Sequence, residues 1–246
     1  AQPMDTVVTA QADWQTQAPN GSVPFGSVVA LVVRKGNPKN IRTWDDLLRP
    51  GIEVVSPNPG SSGSAKWNLL APYAAKSDGG KNPQAGLDYL STLVRDHIKI
   101  LPKSGREATS AFHQGQGDVL ISYENEAIML ERKNAEATPA EQIEYVLPST
   151  TFKIENPVAV VNTSADKKAA HSFVDFLYSP RGQELWAQAG FRPVEPAAVA
   201  KTAHLFPGRI DTLWTVDDLG GWKTVDAELF GNDGAISKIY AQEAGR

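Results

Sequence analysis

The chain has 246 residues, enough for one large domain or two lobes, and 41% hydrophobic with 21% charged residues is typical of a globular protein. A formal net charge of −4 argues against nucleic acid or an anionic membrane surface as a partner. The absence of cysteine excludes disulfides, thiolate metal sites and cysteine catalysis.

No secretory signal opens the chain, since residues 1–11 lack a basic start and a continuous apolar block. The longest apolar run, residues 28–33, is far too short to cross a bilayer. We therefore expect either a cytosolic protein or an exported one whose leader has been removed.

Helices and strands alternate along the predicted chain. A short helix is expected near residues 3–12, and residues 23–33 are β-branched and nearly all apolar, as in a strand buried on both faces. Further strands are predicted at 51–55, 97–101, 118–122, 145–148 and 158–161. Further helices are predicted at 43–48, 65–76, 84–96, 104–114, 124–134, 171–178 and 179–189. Such alternation predicts an α/β fold with a largely parallel sheet, whose ligands bind at the carboxyl ends of the strands.

The loop at residues 56–65 joins a predicted strand to a predicted helix and is rich in Gly and Ser. Small residues at a helix start leave the first backbone N–H groups uncovered, and the helix dipole gives them about half a unit of positive charge. An anion can bind there without Lys or Arg. The alternative is that Ser61 or Ser62 only caps the helix.

Three strand-to-helix turns share this character, at residues 60–65, 103–109 and 122–125. If they lie on one sheet edge, their helix N-termini and hydroxyl groups converge on a site for a small, fully ionised oxyanion. The alternative is that Gly and Ser serve only to form the turns.

Several motifs follow one another along the chain, at residues 31–39, 56–59, 62–68, 117–127, 178–183, 191–193 and 220–222. In composition and order they resemble the motifs of the bacterial sulfate-binding proteins, the periplasmic or membrane-tethered receptors of sulfate and thiosulfate ABC importers. The resemblance implies an α/β, two-lobe periplasmic binding protein fold of type II, with mostly parallel sheets flanked by helices and closure by a hinge. Lobe I is expected at 1–33 with 157–246, and lobe II at 34–156. The family begins with a further segment that these residues do not contain, so we expect lobe I to be incomplete at its N-terminus.

The resemblance also implies which groups hold the ligand. Ser62 would donate its hydroxyl, and Gly63 and Ser64 their backbone N–H groups, although the family usually has Gly at position 64. Gly105 would donate its N–H where the family commonly has Ala, with Arg106 supporting that turn from behind. Tyr123 stands where well-known members have a Trp that donates its indole N–H, and a phenol can donate as well.

Other chemistry is not supported by the sequence. The four histidines, His97, His113, His171 and His204, lack metal-ligand spacing, and Glu124 and Glu126 do not have the spacing of an acid/base pair. No phosphate-loop Lys follows Gly63, and no serine elbow of the hydrolase type is present. We therefore expect no metal, no cofactor and no enzymatic activity.

The sequence thus predicts a monomeric, extracytoplasmic receptor, with or without a lipid anchor, that binds dehydrated sulfate and delivers it to the membrane subunits of an ABC importer. Discrimination would rest on protonation, because sulfate is fully ionised at neutral pH whereas phosphate keeps a proton that needs an acceptor. The alternatives are a receptor for thiosulfate, molybdate or phosphate, and a small α/β hydrolase of sulfate or phosphate esters.

Overall fold

The computed structural model describes residues 13–136, 138 and 142–244, so the predicted helix at 3–12 lies outside the described residues. The chain forms two compact units. The first contains Ala1–Ser27 and Ile154–Pro207, and the second contains Val28–Lys153 and Gly208–Arg246.

Eight strands and nine longer helical segments make up the described fold. The strands are β1 (Phe25–Arg34), β2 (Val54–Val55), β3 (Ile98–Ile100), β4 (Val119–Tyr123), β5 (Ile143–Val146), β6 (Thr150–Asn156), β7 (Arg192–Pro193) and β8 (Thr212–Trp214). The α-helices are α1 (Gly63–Ser77), α2 (Pro83–Thr92), α3 (Gly105–His113), α4 (Glu124–Lys133), α5 (Lys167–Tyr178), α6 (Pro180–Gln188), α7 (Pro196–Thr202), α8 (Gly221–Val225) and α9 (Ala235–Ala244). The predicted helix at 43–48 is a short 3₁₀ turn, Asp45–Leu48, and the predicted helix at 84–96 is α2 followed by a π turn, Leu93–His97.

The sheet of the second unit has the order β3-β2-β4-β1, followed by β6 and β8, with β5 also paired to β1. Strand β2 runs parallel to β3 and β4, and β6 runs parallel to β8. Strand β1, in contrast, is antiparallel to β4 and β5. The α/β class and its flanking helices are as predicted, but the sheet is mixed rather than mostly parallel, because its central strand runs against its neighbours.

The three parallel neighbours β3, β2 and β4 decide where the predicted binding turns lie. Strand β2 leads to α1, β3 leads to α3, and β4 continues directly into α4. Because parallel neighbours end at the same edge of a sheet, all three turns lie at one edge of the second unit.

The core of the second unit is built on β1. Its residues 28–33 are at most 1% exposed, which confirms the predicted strand buried on both faces. Phe112 of α3 packs in this core with Val32 and Leu120. The Arg34 guanidinium lies 3.8 Å from the centre of the Phe112 ring and donates to the Phe112 carbonyl at 2.8 Å. These contacts fix the C-terminal end of α3 against β1.

The C-terminal segment, residues 208–246, belongs to the second unit. Trp222 of α8 packs edge-on against Trp67 of α1, with ring centres 4.8 Å apart, and α9 packs against α2. The resemblance implies lobe I for residues 157–246, whereas the compact units group residues 208–246 with 28–153. The assignment of the receptor's two lobes stays a prediction.

The strand predicted at residues 158–161 is absent from that stretch, and β6 lies immediately before it. The stretch is β-branched and apolar, whereas Thr150–Asn156 carries polar residues such as Lys153 and Glu155. Pairing with β8 and a hydrogen bond from the Thr151 hydroxyl to the Val29 carbonyl, 2.6 Å long, select the more polar segment as the strand. Tertiary pairing has overridden local propensity.

The first unit contains two of the motifs that carry the resemblance, residues 178–183 and 191–193. Gln183 is fully buried on α6; its amide nitrogen donates to the carbonyls of Pro24 and Leu177, and its amide oxygen accepts from Val194 N and Glu195 N. Gly182 is required because a Cβ there would lie 2.0 Å from the Phe176 carbonyl oxygen. These residues therefore have packing roles. Among the described residues, none of the helices combines the length and apolarity needed to span a bilayer.

Candidate functional site

The N-terminus of α1 is left uncapped by side chains. Ser62 is the N-cap residue, with extended backbone angles, and its hydroxyl accepts no hydrogen bond from a backbone N–H of the helix. Its Oγ instead lies 2.8 Å from Ser64 Oγ, and the Ser61 hydroxyl donates to the Lys103 carbonyl at 2.9 Å. Neither serine satisfies the first N–H groups of α1, so the capping alternative does not describe this helix.

The N-terminus of α3 shows the opposite arrangement. Ser104 accepts from Glu107 N at 3.2 Å, and the Glu107 carboxylate accepts from Lys103 N at 2.9 Å, which is a capping box. Ser104 thus caps this helix, which agrees with the alternative interpretation that the small residues of this turn have a structural role. The cap reaches the third helical N–H, however, and leaves the N–H of Gly105 at the first position without a side-chain acceptor.

Two hydrogen bonds join the α1 and α3 turns. Asn58 N donates to the Pro102 carbonyl at 2.8 Å, and the Ser61 hydroxyl bond to Lys103 lies beside it. The two helix starts are therefore held together by backbone groups of both loops. The partial positive charges of these two helix N-termini therefore act on the same region.

Ser64 and Gly105 meet where the two helices start. A Cβ atom at Gly105 would lie 2.9 Å from Ser64 Oγ, which is closer than carbon and oxygen normally approach. The resemblance implies Gly at position 64 and Ala at position 105, whereas this chain has Ser and Gly there. The larger side chain at position 64 thus lies against the residue without a side chain at position 105.

Gly63 is exposed, and a Cβ atom there would meet no atom of the described residues within 4 Å. Its N–H belongs to the first turn of α1 and has no intrahelical partner. The backbone donors expected at positions 63, 64 and 105 thus lie in the first turns of two adjoining helices, and no side chain caps the N–H groups of Gly63, Ser64 and Gly105. Arg106 is exposed, and no hydrogen bond or ion pair of its guanidinium with another described residue supports the turn from behind.

Tyr123 is the last residue of β4 and the N-cap of α4. Burial raises the pKa of its phenol, and the charge of Glu126 raises it further. The phenol therefore keeps its proton at neutral and moderately alkaline pH and can donate a hydrogen bond. Tyr123 shares the sheet edge with the other predicted residues, although no hydrogen bond joins it to Ser62, Ser64 or Gly105 in the described structure.

Two carboxylates, those of Glu124 and Glu126, lie in the first turn of α4, at the same sheet edge as the predicted donors. Glu126 accepts from the Ser122 hydroxyl at 2.6 Å, and Glu124 is fully buried at the first position of α4. Two acidic side chains in the first turn are favourable for the dipole of α4. They also make this helix start less attractive to an anion than those of α1 and α3.

Lys66, one turn into α1, is turned to a partner in the C-terminal segment. Its ammonium lies 2.6 Å from the Asp226 carboxylate and 5.3 Å from the centre of the Phe230 ring. Its charge is thus matched by Asp226. In the residues that the structure describes, no three His, Cys, Asp or Glu side chains form a group suited to a metal ion.

Ser56 is a candidate that sequence reasoning missed. It follows β2 directly and is fully buried, and its hydroxyl has no hydrogen-bond partner among the described residues. A buried hydroxyl without a partner is costly. The available signal was a serine immediately after a strand, five residues before the loop serines to which the sequence drew attention.

Comparison with known proteins identifies the family. A family model for bacterial extracellular solute-binding proteins matches residues 1–192. A sulfate-binding protein from Synechococcus elongatus is 40% identical over 241 residues, covering 96% of this chain and 67% of the relative. A thiosulfate-binding protein from Pseudomonas aeruginosa is 36% identical over 234 residues, covering 93% of this chain and 69% of the relative.

Among solved structures, the sulfate-binding protein SubI from Mycobacterium tuberculosis superposes with a TM-score of 0.84 at 57% identity, covering 94% of this chain and 79% of that one. The likeness confirms the predicted type II binding-protein fold. The chain belongs to the bacterial extracellular solute-binding proteins, within the family of sulfate-binding proteins.

Proposed function

We propose that this protein is an extracytoplasmic receptor that binds dehydrated sulfate and delivers it to an ABC importer. The observation that carries the proposal is the uncapped start of α1, where Ser62 Oγ lies 2.8 Å from Ser64 Oγ and Ser64 abuts Gly105. Free backbone N–H groups and hydroxyls hold a divalent anion without a cationic side chain. The relatives that are named for binding sulfate support the same ligand.

Selectivity follows from the balance of donors and acceptors. Sulfate offers only acceptors at neutral pH, which suits backbone N–H groups, hydroxyls and the protonated phenol of Tyr123. Hydrogen phosphate brings a proton that needs an acceptor, and a missing acceptor costs about 1–3 kcal/mol or more. Two carboxylates at this edge already accept hydrogen bonds, Glu126 from the Ser122 hydroxyl and Glu107 from Lys103 N. Phosphate is therefore the ligand that tests the proposal most sharply.

Calorimetric titration of the 246-residue chain with sulfate, with phosphate as the matched control, tests this function. We expect saturable sulfate binding and at least about 100-fold weaker phosphate binding, which corresponds to about 2.7 kcal/mol. Equal affinity for the two anions would contradict donor-only selectivity. Turnover of a sulfate or phosphate ester would contradict a receptor.

Thiosulfate is the second candidate ligand, because one relative is named a thiosulfate-binding protein. Its terminal sulfur is larger than oxygen and accepts hydrogen bonds weakly. A competition titration, in which thiosulfate is added to the sulfate-bound protein, measures which of the two anions is bound more tightly. A periplasmic or other extracytoplasmic location, with or without a lipid anchor, a monomeric state and the importer's membrane subunits as partner belong to this proposal as well.

Replacing Tyr123 by phenylalanine should weaken sulfate binding about fivefold, or about 1 kcal/mol. The change removes one donor and keeps the packing. The negative charge of Glu126, which raises the pKa of this phenol, also opposes an anion here, so we expect a smaller effect than for Ser62. Unchanged affinity would show that Tyr123 only packs, and Tyr89→Phe, at a phenol that donates to the Trp44 carbonyl, is the matched control.

Replacing Lys66 by alanine should leave sulfate affinity within about twofold, because its ammonium is matched by Asp226 at 2.6 Å. The free energy of unfolding should fall by about 1 kcal/mol through the lost ion pair. Asp226→Asn is the partner control and should lower stability in the same way. A tenfold or greater loss of sulfate affinity in Lys66→Ala alone would contradict a site without a cationic side chain.

A further inference from the structure

A second concave site lies in the second unit, around the C-terminal part of α1. The cavity has a volume of about 240 Å³, and its walls come from α1, α2, the turn between them and the segment 218–235. Leu87, Pro83, Leu219 and Leu229 give it an apolar interior. A cavity of this size is large enough for a small organic molecule and much larger than one water.

The charged groups at this cavity are all of one sign. Asp218 and Glu228 line it, and no Lys, Arg or His is among its described lining residues. Asp218 accepts from Thr215 N and from the Thr215 hydroxyl through the same carboxylate oxygen, Oδ2. Its other oxygen and the exposed carboxylate of Glu228 give the rim a negative potential. An anion would be repelled here, and a cation with an apolar body would be favoured.

A buried phenol also faces this cavity. Tyr73 lines it and is only 4% exposed, and its hydroxyl has no hydrogen-bond partner in the described structure. Burial raises the pKa of this phenol, and the charge of Glu228 raises it further, which places Glu228 near the phenol. The Tyr73 oxygen thus offers an unused acceptor between the apolar interior and the acidic rim.

The walls of the cavity are rigidly built. Gly79 and Gly80 have φ angles of +64° and +88°, in the left-handed region that favours glycine. A Cβ at Gly79 would lie 2.3 Å from the Trp214 ring, and one at Gly80 would lie 3.1 Å from Leu219. The turn after α1 therefore fits closely against the C-terminal segment, and the cavity does not depend on a loop closing over it.

From these observations we infer that this cavity binds a small organic cation with a short apolar body, an alkylammonium ion. The alkyl part would lie against Leu87 and Leu229, and the ammonium would lie between the Tyr73 oxygen and the carboxylates of Asp218 and Glu228. Both parts of such a ligand find complementary surroundings. A neutral molecule of the same shape would use only the apolar interior.

Binding here is independent of the anion site. Gly63 and Tyr73 are ten residues apart on α1, which places the two sites about 15 Å apart along the helix. The Debye length at physiological salt is about 8 Å, so the two charges are largely screened from each other. The inference therefore does not rest on the proposed function, and failure of either leaves the other standing.

The test is an NMR titration of the full chain with butylammonium chloride, following the backbone amides of Gly79 and Gly80. The controls are 1-butanol, which has the same alkyl chain without charge, and potassium chloride at the same ionic strength. We expect saturable shifts with butylammonium at Gly79 and Gly80, weaker shifts with 1-butanol and none that saturate with potassium chloride. Sulfate affinity should be the same with and without butylammonium.

Substitutions of the two carboxylates then test whether their charges hold the ammonium group. Glu228→Gln and Asp218→Asn should each weaken butylammonium about two- to fivefold, since an ion pair at an exposed rim contributes little. Asp175→Asn, at an exposed carboxylate of the first unit, is the matched control and should have no effect. A double variant combines Glu228→Gln with Asp218→Asn. The inference would be overturned if the shifts do not saturate, or if this double variant binds butylammonium as tightly as the unchanged chain.

Discussion

Replacing Ser62 by alanine is expected to weaken sulfate binding about 10- to 100-fold, or about 1.5–3 kcal/mol. Ser62 is 8% exposed and its Oγ lies 2.8 Å from Ser64 Oγ, so its hydroxyl is held in place beside the first N–H groups of α1. When Ser64 donates to Ser62 Oγ, the Ser62 proton remains available to the anion. The lost bond is one to a charged group, which is the stronger kind.

Ser61→Ala is the matched control for that experiment. Ser61 is exposed, and its hydroxyl donates to the Lys103 carbonyl at 2.9 Å, away from the helix N–H groups. We expect calorimetric sulfate affinity within about threefold for this variant, because it loses one neutral hydrogen bond between two loops. If Ser61→Ala and Ser62→Ala weaken sulfate equally, the assignment of the donor to Ser62 is wrong.

Replacing Gly105 by alanine is expected to weaken sulfate binding at least about tenfold. The added Cβ would lie 2.9 Å from Ser64 Oγ, so one of the two helix starts must move. Overpacking of this kind typically costs about 1–3 kcal/mol, and here it falls on the groups that bind the ligand. The unliganded protein should remain folded, because both residues lie at helix ends.

The decisive variant combines Gly105→Ala with Ser64→Gly. This pair restores the residues that the family commonly has at both positions and removes the Oγ with which the new Cβ would collide. We expect the double variant to bind sulfate within about threefold of the unchanged chain, which gives a large coupling free energy in a double-mutant cycle. A double variant as weak as Gly105→Ala alone would show that the two positions act separately.

The local sequence was sufficient to predict the elements that position the site. The apolar run of β1, the Gly and Ser residues before α1 and the Ser and Glu at the start of α3 are short-range signals, and each depends on neighbours in the chain. Periodicity and turn chemistry are enough for these elements. That the three turns lie at one sheet edge was only a condition at the level of sequence, and it follows from the parallel pairing of β2 with β3 and β4.

What could not be predicted depends on residues far apart in sequence. The contact of Ser64 with Gly105 joins residues of two different helices, and neither residue signals the other. The strand Thr150–Asn156 was missed because its pairing with Thr212–Trp214 decides its structure, not its composition. The contact of the C-terminal segment with α1 could not be predicted for the same physical reason, since Asp226 pairs with Lys66 across 160 positions.

The pairing of Lys66 with Asp226, together with the Trp67 and Trp222 contact, has a consequence for how the protein forms. The flank of α1 cannot be completed until residues 208–246 have left the ribosome, because Asp226 follows its partner Lys66 by 160 positions in the chain. Contacts of such large sequence separation form late and slowly. The nascent chain is therefore expected to carry the anion-binding loop for some time on a helix whose apolar flank is still exposed to solvent.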